Sequence, residues 1–155
     1  MLGMSMLMAC RGIGAVLGPI VSGYWAGGSK ERMRCGILYG FVAAGLGYIA
    51  LGLSPNLACA CAAIAIAHSG GSTLWVFSTT LLQLQTEDRF RGRVFSAEFA
   101  LSVVTMSASS SSAGALIDRH VPVGAVAILA GVIALLPALL WARVLRVPAT
   151  SPLRT

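Results

Sequence analysis

The stretch Thr86-Glu87-Asp88-Arg89-Phe90-Arg91-Gly92-Arg93-Val94-Phe95 decides the fold of this chain. Five of the seven residues from Glu87 to Arg93 are charged, yet the run is flanked on both sides by apolar segments long enough to cross a bilayer. It reads as a short cytoplasmic loop joining two membrane helices. Working outward, breakers and polar residues recur at Gly27-Gly28-Ser29-Lys30-Glu31-Arg32, at Ser54-Pro55-Asn56 and at Asp118-Arg119-His120-Val121-Pro122. These punctuations divide the chain into five apolar segments near 3–26, 35–54, 57–84, 94–117 and 122–147. The expected fold is therefore an all-α membrane protein of about five transmembrane helices. Residues 1–147 form a single helical membrane domain, and 148–155 a basic cytoplasmic tail.

Composition agrees. Hydrophobic residues make up 57% of the 155 and charged residues 10%, whereas soluble domains carry about 25% charged residues. A water-soluble fold would lack the polar groups to cover its surface. Lys and Arg are distributed unevenly: Lys30, Arg32 and Arg34 follow the first segment, Arg89, Arg91 and Arg93 the third, and Arg143, Arg146 and Arg154 the fifth, while Arg119 alone falls on the other side. The positive-inside rule then puts the C-terminus in the cytoplasm and the N-terminus outside. The net charge of +6 is explained by this topology and by contact with anionic lipid, with no need of nucleic acid. A signal peptide over 1–26 fits poorly, because no basic region precedes the apolar run and Arg11 interrupts it.

Cys10, Cys35, Cys59 and Cys61 lie within apolar segments, and Cys59-Ala60-Cys61 has no second Cys or His pair beside it. Buried thiols fit better than a metal site, and no cofactor is expected. Nor is an enzyme, since no Ser/His/Asp set, metal cluster or phosphate loop is present and His68 and Asp118 fall on different helices.

Helical spacing picks out the candidate functional residues. In the third segment His68, Ser72, Trp75, Thr79 and Gln83 share an arc of about 90°. Polar groups in hydrocarbon are costly, so this stripe faces a water-filled cavity or else bonds to backbone carbonyls nearby. In the fourth segment Glu98, Ser102, Thr105, Ser109 and Ser112 share a face beside the small-residue run Ser107 to Gly114, which suits close helix packing. Glu98 lies about one turn inside the membrane from Arg91 and Arg93, with a salt bridge to them favoured over a proton-carrying role. Asp88 is a further charge-pair candidate in the same loop. In the first segment Arg11 shares a side with Gly14, Gly18 and Ser22. It either points into a cavity or snorkels, at a depth of about 12 Å against about 16 Å for His68.

The run Arg11-Gly-x-Gly-x-x-x-Gly-Pro19, the basic loop Lys30 to Arg34, and Leu81-Leu82-Gln83 followed by Arg91-Gly92-Arg93-Val94-Phe95-Ser96 resemble the C-terminal half of major facilitator exporters, of the enterobactin-exporter-like branch. The resemblance assigns the five segments to helices eight to twelve of that fold. It implies two six-helix bundles around a midplane cavity, with the third segment lining the cavity and the first and fourth packing across to the other bundle. It further implies that this chain is a fragment of a longer transporter of a small molecule, whose partners are the bilayer, the substrate and the missing N-terminal half or a second chain. A non-transporting membrane accessory protein derived from such a transporter is the alternative.

Overall fold

The computed structural model describes residues 2–146, and its regular structure is entirely helical: α1 (Leu2–Ala26), α2 (Lys30–Gly52), α3 (Leu57–Gln85), α4 (Asp88–Asp118) and α5 (Val123–Arg146). All five are long and apolar enough to cross a membrane. The basic tail expected at 148–155 lies outside the described residues.

Two helix starts differ from the sequence reading. α2 begins at Lys30 and α4 at Asp88, so Arg32, Arg34, Arg91 and Arg93 belong to helical turns and not to loops. Local chemistry explains both. Ser29 caps α2, its side chain accepting from the Arg32 amide. At the start of α4, Asp88 sits in the first turn, where the helix dipole favours an acid, and pairs with Arg91 one turn on at 2.9 Å. The connection between α3 and α4 shrinks to Thr86 and Glu87. Between α1 and α2 the chain reverses through Gly27 and Gly28, both at positive φ, 53° and 79°, a conformation glycine adopts without steric cost.

α2 is the central helix. It packs on α3 along one side and α5 along the other. Toward α3, a Cβ at Gly40 would lie 2.8 Å from the Gly70 carbonyl oxygen and one at Gly47 2.6 Å from the Ala67 amide nitrogen. Toward α5, a Cβ at Gly45 would lie 2.9 Å from the Gly131 carbonyl oxygen, and Gly124 meets the backbone of Gly52. Spacings that look commonplace in the sequence thus set two opposite seams, because only missing side chains let backbones approach so closely. At one end the seams converge on a buried cluster of Ala26, Ile37, Phe77 and Leu81, against which Trp141 packs while donating its indole N–H to the Arg34 carbonyl at 2.9 Å.

α1 packs on α3 in parallel. Gly14 meets the backbone of Ala65, Gly18 that of Ser69, and the hydroxyls of Ser22 and Thr73 lie 3.2 Å apart, so the register is constant over two turns. One turn before Gly14, the thiols of Cys10 and Cys61 interact across the same seam. Mild oxidation of the membrane-embedded chain should therefore join Cys10 to Cys61, and a Cys61→Ala variant should lose the product. Cross-linking of Cys10 to Cys59 in place of Cys61 would contradict this register. α4 stands apart: it touches α5 lightly and none of its residues is buried.

Candidate functional site

The α1–α3 seam separates two unlike surfaces. At 100° per residue the stripe of His68, Ser72, Trp75, Thr79 and Gln83 is centred about 80° from the face that α3 turns to α1, and about 150° from the face it turns to α2. Neither neighbour covers it. Trp75 is 47% exposed, whereas Phe77 on the α2 side is 2% exposed; Gln83 is exposed and Ser72 partly so. Arg11, exposed on α1, lies on the stripe side of the seam and within electrostatic reach of His68. On the opposite side, α1 and α2 flank an apolar cleft floored by α3.

Hydrogen bonding distinguishes the stripe from other hydroxyls of α3. Ser69, Ser78 and Thr80 donate to carbonyls of their own helix, the usual way a membrane helix satisfies a hydroxyl. Stripe members reach other helices. His68 Nε2 lies 3.3 Å from the Tyr48 hydroxyl of α2, with the rings edge-to-face at 6.0 Å. Thr79 donates to a Glu98 carboxylate oxygen at 3.3 Å, a single side-chain link from the stripe to α4. The backbone-only account of His68 and Thr79 does not hold. Tyr48 was not legible as a partner: its place among Gly45, Leu46, Gly47, Ile49 and Ala50 reads as one more apolar position, and only the α2–α3 seam brings it to His68.

The charge pairing at the other end differs from the expectation. Glu98 bonds to Thr79, while Arg91 pairs with Asp88 and also donates to the Thr86 carbonyl, and Arg89 pairs with Glu87. Arg93 is exposed, and among the described residues it has no ion pair. Asp88 lies one helical turn before Arg91 and Glu98 two turns after it, so the nearer acid captures Arg91.

The depth expectation changes as well. The constant offset across the α1–α3 seam sets His68 level with Leu17, six residues beyond Arg11, or about 9 Å along the axis in place of about 4 Å. The small faces of α1 and α4 also part company. The α1 glycines, expected to pack across to a second bundle, are filled by α3. On α4, Thr105, Ser109 and Ser112 remain exposed, with Thr105 and Ser112 bonded back to their own helix. Among the described residues no group of three His, Cys, Asp or Glu side chains is arranged to hold a metal ion.

What results is an all-helical chain of five membrane-length helices with one polar and one apolar side. Comparison with protein-family models, with characterised proteins and with solved structures gives no match.

Proposed function

We propose that this chain is part of a secondary active transporter of the major facilitator kind. It sits in the plasma (inner) membrane with its C-terminus cytoplasmic and exports a small polar or anionic molecule by alternating access. The observation that carries the reading is the polar side of α3: a helix long enough to span the bilayer presents His68, Ser72, Thr79 and Gln83 in line, with Arg11 and Glu98 on the same side, and although His68 bonds to Tyr48 and Thr79 to Glu98, Ser72 stays partly open and Gln83 and Arg11 exposed. Polar groups in that position need water or a polar solute against them. A further helical bundle facing this side would enclose the cavity, with Arg11 and His68 supplying a fixed cation and a donor for the solute. The basic residues Lys30, Arg32 and Arg34 after α1 and Arg89, Arg91 and Arg93 after α3 support the orientation.

Thiol labelling tests both parts, in a variant whose four native cysteines are replaced by alanine. Single cysteines at Ser72 and Gln83 should react with a water-soluble maleimide in the membrane, and one at Leu139, exposed on α5, should not. From outside sealed cells, cysteines at Asn56 and His120 should react, and those at Ser29 and Arg91 only after permeabilisation. Unreactive Ser72 and Gln83 positions would mean that the stripe is sealed by packing, and would remove the cavity. Outside labelling at Ser29 would invert the topology.

A further inference from the structure

The apolar side of the bundle carries a site of its own. The cleft between α1 and α2 has a volume of about 480 Å³ and is walled by Leu17, Val21 and Trp25 of α1 and by Tyr39 and Ala43 of α2. Its polar floor groups are already engaged, Ser22 with Thr73, and the glycines of its base are used up in the α1–α3 and α2–α3 contacts. What remains open is an apolar slot, and a hydrocarbon chain matches its chemistry.

One end of this slot is charged. Trp25 and Tyr39 meet edge-to-face across it at 6.2 Å, the pairing of amphipathic rings found where a membrane protein meets the headgroups. Beside them Arg32 donates from Nη1 to the Trp25 carbonyl at 3.1 Å, which holds the guanidinium at the Trp25 end of the slot and leaves most of its five N–H donors free. Arg32 has no ion pair among the described residues. Helical spacing puts it on the same face of α2 as Tyr39 and Ala43, while Lys30 and Arg34 lie about 160° away and Glu31 about 100° away.

We propose that this cleft is a binding site for an anionic phospholipid of the surrounding bilayer, with one acyl chain along Leu17, Val21 and Ala43 and the phosphate against Arg32. Basic pockets between membrane helices select anionic headgroups in this way. The site requires α1 and α2 to span the bilayer, but not that the protein transports.

The test uses the full chain in phosphatidylcholine vesicles containing a minor fraction of either dibrominated phosphatidylglycerol or dibrominated phosphatidylcholine. Bromine quenches nearby indoles, and Trp25 is isolated by difference against Trp25→Phe. Brominated phosphatidylglycerol should quench Trp25 with about fivefold preference, the ratio expected of one basic contact. Arg32→Gln should abolish the preference and Arg32→Lys retain it. Lys30→Gln and Arg34→Gln, on the far face, should leave it in place. Ala43→Phe, which fills the slot, should lower quenching by both lipids. Equal quenching by the two lipids in the wild type, or a preference that survives Arg32→Gln, would overturn the site. Absence of quenching by either lipid would show a protein segment covering the cleft, and would overturn it as well. Release of the wild-type chain from vesicles by alkaline carbonate marks a different failure, that of the spanning helices themselves.

Discussion

Leucine in place of Gly14 or Gly18 should detach α1 from the bundle, and leucine in place of Gly12 or Gly23 on the same helix should leave it docked. At Gly14 and Gly18 a Cβ would strike the backbone of Ala65 and Ser69, whereas at Gly12 and Gly23 it would meet nothing within 4 Å. A flexible side chain can move aside, but a carbonyl inside a hydrogen-bonded helix cannot, so α1 must separate from α3 along the seam. Overpacking typically costs about 1–3 kcal/mol, and here the cost should reach or exceed the upper end because no neighbour relaxes. Separation also breaks the Ser22–Thr73 contact. The open positions should gain slightly in helix propensity, by up to about 1 kcal/mol per site. Thermal unfolding of the detergent-solubilised chain, with membrane abundance as a second measure, separates the two groups. If all four variants behave alike, α1 does not dock through its glycine face.

On the proposed reading of the chain as part of an exporter, His68→Ala and Arg11→Ala should each reduce export of small anionic dyes by about ten- to hundredfold, since a hydrogen bond to a charged group is worth about 1.5–3 kcal/mol. Both changes remove groups on the uncovered side of the α1–α3 seam, so abundance should hold nearly constant. Tyr48→Phe provides the intermediate case. It keeps the ring that packs edge-to-face on His68 and removes the hydroxyl 3.3 Å from Nε2, so His68 loses its orienting partner and export should fall by less than in His68→Ala. Arg11→Lys should restore part of the activity, because it keeps the charge. Export unaffected in both alanine variants would assign Arg11 to snorkelling and His68 to packing. Activity falling in step with abundance would make them structural.

The sequence by itself determined that the chain folds as five long apolar helices, and where they break. Hydrophobicity and turn chemistry are local properties, and the charged run at Glu87 to Arg93 or the pair Gly27-Gly28 marks where one membrane helix gives way to the next, although α4 already starts inside the charged run at Asp88. The polar stripe of α3 was legible for the same reason, since helical spacing alone puts His68 and Gln83 on one face. Tertiary structure decided which faces meet. Gly36, Gly40, Gly45 and Gly47 offer α2 several equivalent close-packing seams, and nothing local says which serves α3 and which α5. The α1–α3 register then set His68 about 9 Å beyond Arg11 and turned the stripe and the apolar cleft to opposite sides, the α2–α3 seam brought Tyr48 to His68, and the return of α4 beside α3 brought Glu98 to Thr79. Those outcomes depend on how side-chain volumes interlock between helices far apart in the chain, and in an apolar solvent, where hydrophobicity no longer ranks one helix face above another, that fit is what selects the partner.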